Sequence, residues 1–79
     1  MADDSLVAPK LLIPSRKLTP RQAEMVQLAA NGLNQKEIAA QLGVAYNTVD
    51  ATMLTAREKK QVGTMAGLVA AAMRDGEVK

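Results

Sequence analysis

Seventy-nine residues with a net charge of +2 make one small domain, and a chain of that size buries only roughly 60% of the surface it exposes when unfolded. With neither cysteine nor histidine, it has no disulfide framework, no ordinary zinc site and no Cys–His or Ser–His–Asp nucleophile system. Phe and Trp are absent and Tyr46 is the only aromatic, so the core must be built from Leu, Val, Ile, Met and Ala, which suits closely packed helices better than strands.

No apolar run approaches the roughly 20 residues that span a bilayer, and no signal-peptide pattern opens the chain. The charge is unevenly spread. Between residues 16 and 60, Arg16, Lys17, Arg21, Lys36, Arg57, Lys59 and Lys60 outnumber Glu24, Glu37, Asp50 and Glu58. Nucleic-acid binding requires such a local excess of base, and a chance imbalance on a solvated surface gives the same count.

In chain order, residues 1–17 contain Pro9 and Pro14 and show no helical period. They read as an arm or linker remnant, with Leu11, Leu12 and Ile13 available to dock on the domain surface. The domain is expected at 18–79. Thr19-Pro20-Arg21-Gln22 is a helix start: Thr caps, Pro fits the first helical position, and Gln22 closes a capping box. Leu18 stands where a hydrophobic staple begins, opposite only Ala23. Met25, Val26, Leu28 and Ala29 give an apolar face, and Asn31-Gly32 ends the helix.

A second capping box follows in Asn34 and Glu37. Ile38, Ala39 and Leu42 share one face, and Gly43 stops this helix after about two turns. A third helix is expected from about Tyr46 to about Lys60, with Val49, Met53 and Ala56 as a thin apolar stripe and Ala45 as a poor cap. In the fourth segment, Met65, Leu68, Val69, Ala72 and Met73 form an amphipathic stripe that Gly76 closes. Gly67, Ala70 and Ala71 leave the remaining surface smooth enough for another helix to approach.

The stretch NQKEIAAQLGVAYNTVD, residues 34–50, has the spacing of a helix-turn-helix. Ala39 falls at the closest approach of two helices crossing steeply through a short turn. Gly43, four residues later, falls where positive φ is needed. Ile38, Leu42, Val44 and Val49 are apolar at the inner positions. An ordinary helical hairpin in a small bundle would satisfy the same spacing.

Residues 18–79 resemble the LuxR-type, GerE-like helix-turn-helix DNA-binding domain. The resemblance rests on LTPRQ at 18–22, LAANGL at 28–33, KEIAAQLGV at 36–44 and Thr48-Val49. LVAAAMRDGEV at 68–78 looks like the last helix of the short, stand-alone members. It implies an all-α, four-helix domain that binds double-stranded DNA as a homodimer and regulates transcription, with no cofactor; an enzyme is not expected from the residues themselves, which offer no His, no Cys, no Gly-rich phosphate loop and no convincing carboxylate pair, with Glu24, Glu37 and Asp50 on different helices. The third helix, about 46–60, would lie in the major groove. Met65, Leu68, Val69, Ala72 and Met73 would form the dimer contact across a two-fold axis, with core packing within one chain as the other role of that stripe. RNA polymerase or another LuxR-type regulator are further partners it implies, and the location it implies is the cytoplasm, on the bacterial nucleoid or in a host cell if phage-encoded. A stand-alone regulator and an excised domain both fit; Met1 favours the first.

Helix three departs most from the family. Asp50 stands where Lys or Arg is usual, Thr52 where His is usual, and Leu54 at a frequent polar contact position. Arg57 and Lys60 occupy positions that are apolar in the family, and its Leu-Gly pair becomes Lys60-Gln61. One account is altered specificity: Asp50 accepts from a cytosine amino group, Asn47 reads adenine, and Ala51 or Leu54 meets a thymine methyl. Arg21, Lys36, Thr48, Thr55, Arg57, Lys59 and Lys60 would then contact phosphates, with Asp50 paired by Arg57 or Lys36. A second account is a module that has lost DNA binding and antagonises a LuxR-type regulator by dimerising with it. A third is a purely structural bundle.

Overall fold

The computed structural model describes residues 16–79. The expected docking of Leu11, Leu12 and Ile13 lies outside the described residues. Among the described residues four helices follow one another: α1 Pro20–Ala30, α2 Gln35–Leu42, α3 Tyr46–Lys60 and α4 Met65–Arg74. No strand occurs among the described residues, and no helix is long and apolar enough to cross a membrane.

Local chemistry sets the first two helices. Thr19 Oγ1 accepts the Gln22 N–H while the Gln22 side chain accepts the Thr19 N–H, a closed capping box behind Pro20. Asn34 and Glu37 repeat it at the start of α2. Every helix then ends in the same way. An N–H just past the last turn reaches back five residues to a carbonyl: Leu33 to Leu28, Val44 to Ala39, Val62 to Arg57 and Glu77 to Ala72. This Schellman closure needs one residue at positive φ. Gly32, Gly43 and Gly76 supply it for α1, α2 and α4, but Gln61, at φ 58°, supplies it for α3.

The helices close around an aliphatic core. Met25, Val26, Ile38, Val49, Met53, Ala56, Leu68 and Ala72 have no exposed surface, and Leu18, Ala39 and Val78 join them. Burying each large aliphatic side chain contributes about 1.5–3 kcal/mol. α1 packs against all three other helices, and α3 also packs against both α2 and α4. Ala39 is buried where α2 meets its neighbours.

The fourth helix differs from the sequence expectation in one respect. Leu68 and Ala72 are wholly enclosed by their own chain, and Ala71 is 1% exposed. They belong to the core, so neither the two-fold contact nor a smooth outer face can include them. The physical reason is the breadth of the stripe: at 100° per residue it spans more than the core covers, and only its flank faces out. That flank is Met65, Val69 and Met73, with Met73 48% exposed.

Candidate nucleic-acid interface

The α2–turn–α3 unit turns at Gly43, φ 69°, in the left-handed region. α3 is then held by its inner face. At 100° per residue, Val49, Met53, Ala56 and Lys60 fall on one side of α3; the first three are buried, and the Lys60 side chain is 5% exposed. Asn47, Asp50, Ala51, Leu54 and Glu58 fall on the other side, and all five are exposed. The structure therefore brings the four expected base-reading residues onto one outward stripe. Glu58 completes that stripe and was not singled out in the sequence, although it lies four residues past Leu54, which is enough to find it. Tyr46, also exposed, flanks the start of the stripe.

The start of α3 is open. Ala45 has no capping side chain, so no side chain satisfies the first-turn N–H groups. With the helix dipole they present partial positive charge to whatever lies in front. Thr48 is exposed there. Thr52 Oγ1 donates to the Thr48 carbonyl at 2.7 Å and Thr55 Oγ1 donates to Ala51 at 3.1 Å. The Thr55 proton is thus held by its own helix, and its oxygen faces out as an acceptor.

The cations expected at phosphates divide into four groups. Lys36 is exposed at the first turn of α2. Arg21 is about half exposed and paired with Glu24 at 2.8 Å, a surface pair worth only a few tenths of a kcal/mol and easily exchanged for a phosphate. Arg57 is half-buried.

Lys59 and Lys60 are a correction. Lys59 Nζ donates to the Lys17 carbonyl at 3.2 Å and to Gln22 Oε1 at 3.1 Å. Lys60, its side chain 5% exposed, is paired with Asp75 at 2.8 Å and with Glu77. The Lys60 charge is met by carboxylates within the chain, while Lys59 is held by two neutral oxygens. The cause is helical phase: Lys60 falls on the inner face with Met53 and Ala56, the apolar position that the family resemblance assigns it. Burial pulls the Lys60 pKa down, but hydrogen bonds and charge from Asp75 and Glu77 outweigh burial and leave it above 10.5. The hydrogen bond from Lys60 holds the Asp75 carboxyl below its ordinary 3.8.

Asp50 has no ion-pair partner among the described residues, so pairing by Arg57 or Lys36 is not found. The outward stripe of α3 therefore carries two carboxylates and no cation.

Away from this face, Met65, Ala66, Val69, Ala70 and Met73 of α4 meet Ala29, Ala30, Leu33 and Ile38 in an open apolar groove of about 590 Å³. Gln35 also lines it, and Gln35 Oε1 is buried without a hydrogen-bond partner.

The sequence pattern of the bacterial regulatory proteins of the luxR family matches residues 16–69. The chain is 32% identical over 60 residues to the tetrathionate response regulatory protein TtrR of Salmonella typhimurium, covering 76% of this chain and 29% of TtrR. It is also 32% identical over 75 residues to the transcriptional regulatory protein MctR of Rhizobium johnstonii, covering 95% of this chain and 35% of MctR. The chain thus spans about a third of the length of these relatives. No solved structure is significantly similar to it.

Proposed function

The chain belongs to the luxR family of bacterial regulatory proteins; DNA binding through a helix-turn-helix and control of transcription follow from that membership, and we propose how this chain carries them out. It binds double-stranded DNA as a homodimer, with α3 in the major groove. The observation that carries this reading is the phase of α3: a buried Val49-Met53-Ala56 face and an outward stripe of Asn47, Asp50, Ala51 and Leu54. Asp50 accepts from cytosine N4, Asn47 pairs with adenine, and Ala51 and Leu54 pack on thymine methyls.

Phosphate contacts come from Lys36, Arg21, Arg57, the exposed Thr48 and the uncapped start of α3. That is a small cation set, so affinity is modest and a large share of discrimination rests on base contacts. Dimerisation uses the exposed flank of α4, Met65, Val69 and Met73, and sets the spacing of a pseudo-palindromic site. Met73→Glu is expected to lower the molecular mass in sedimentation from dimer to monomer without unfolding the chain.

The inward use of Lys59 and Lys60 and the acidic outer stripe favour one second reading: a module that dimerises with a luxR-family regulator and antagonises it. Selection of sites from random duplex DNA by the folded chain separates the two. Enrichment of a pseudo-palindrome with cytosine opposite Asp50 supports DNA readout. Absence of any enrichment at low salt supports the antagonist.

A further inference from the structure

We propose that Lys60 is a positioning residue: with Lys59 it ties the last turn of α3 to the peptide that opens the domain, so that the setting of the DNA-facing stripe depends on Lys17–Leu18. The proposal rests on the reading of α3 as the DNA-facing helix.

Glu77 is the bridge. Its Oε1 takes the Lys60 ammonium and its Oε2 accepts the Leu18 N–H at 2.7 Å, across 59 residues of sequence. The carboxylate is 9% exposed and Leu18 is 8% exposed, so water does not readily replace either contact. Lys59 makes an independent second tie through the Lys17 carbonyl and Gln22 Oε1. That same Gln22 oxygen receives the Thr19 N–H of the α1 capping box. Two adjacent lysines on different sides of α3 thus hold one short stretch of backbone. The tie is specific: an apolar residue at position 60 could fill the inner position, but only a cation there can share Glu77 with the Leu18 amide.

α3 is a rod of 15 residues, roughly 22 Å long. A tilt at its last turn is carried along the rod to Asn47 and Asp50, where base contacts need close geometry. Displacing Lys17–Leu18 breaks contacts made by that last turn, and releasing the last turn frees Lys17–Leu18. The two ends are linked in both directions.

The test uses the whole chain and two readouts: amide hydrogen exchange at Leu18, and anisotropy titration of the duplex enriched by site selection. Lys60→Met removes the charge and keeps the stem, Lys60→Arg keeps the charge, and Glu77→Gln weakens the tie from the other side. Lys60→Met is expected to raise Leu18 exchange about tenfold and weaken duplex binding about threefold or more, with the melting transition retained. Lys60→Arg is expected to restore both. If Lys60→Met fails to fold, Glu77→Gln carries the same expectation at Leu18 and at the duplex. Unchanged Leu18 exchange in the folded variants overturns the tie. Faster exchange with unchanged duplex binding overturns the positioning role. A wild-type chain that binds no duplex instead overturns the DNA reading, and with it the positioning role, while Leu18 exchange still decides whether the tie exists.

Discussion

The α1–α2 half of the domain and the third helix obey different rules. In α1 and α2, local chemistry and global packing agree: each begins in a closed capping box and ends on a glycine at positive φ. In α3 they disagree. It begins on Ala45 without a cap and ends on Gln61 in the left-handed region, and its inner face includes a lysine. Such departures are expected where a sequence serves function before foldability. α3 is also the helix whose outer stripe carries the expected base-reading residues. The contrast says that the frame holds α3 in place, and that α3 contributes less to its own stability than the frame does.

Substitutions test that contrast, taken from the largest expected effect to the smallest. Leu68→Glu places a charge in a fully enclosed position and is expected to cost more than about 4 kcal/mol, enough to abolish the cooperative thermal transition seen by circular dichroism. A folded monomer would return Leu68 to a subunit contact. Lys60→Ala leaves Glu77 enclosed without its cation and is expected to cost about 3 kcal/mol in urea unfolding. A loss near zero would mean that water replaces the lysine and that the end of α3 is not held by it.

The local faults of α3 should be repairable. Gln61→Gly relieves the left-handed strain and is expected to add about 1 kcal/mol. Ala45→Ser supplies the missing cap and is expected to add up to about 1 kcal/mol. Matched substitutions at sound points of the frame, such as Thr19→Ala, should lose about as much as these gain. Equal neutrality in both places would erase the comparison.

The smallest effect is in pH. The Asp75 carboxyl titrates below 3.8 when folded, so its contribution is present above 3.8 and is lost as pH falls through the lowered value. The raised Lys60 pKa works in the opposite sense: its contribution is full below 10.5 and is lost as pH rises through the raised value. The stability gap between the wild-type chain and Asp75→Asn is therefore expected to be flat between these limits and to close outside them. A gap that changes near neutral pH would point to other groups.

Much of the frame was legible because short-range rules decide it. Capping pairs three residues apart and glycines at helix ends mark α1 and α2 without reference to the fold, and apolar residues at helical spacing place α3 and α4. The outward stripe of α3 was also legible, since Val49 and Met53 define its opposite. The fates of Lys59, Lys60, Leu68 and Ala72 were not. Each depends on a partner far away in sequence: Lys17 for Lys59, Asp75 and Glu77 for Lys60, and the packed helices around α4 for the other two. A cation count along the sequence cannot say which cations are already engaged, and an amphipathic stripe cannot say how much of its width the chain's own core consumes. Phase alone hinted at Lys60, which falls in line with Val49, Met53 and Ala56.

The most direct test of the account is an anisotropy titration of the wild-type chain and Asp50→Lys against the selected duplex and a scrambled one, at two salt concentrations. The wild-type chain is expected to prefer the selected duplex and to bind it more weakly as salt rises. Asp50→Lys is expected to bind the scrambled duplex roughly tenfold more tightly and to lose most of the preference. If the substitution leaves both affinity and preference unchanged while the chain still binds DNA, the outward face of α3 is not at the DNA, and the account is wrong at its centre.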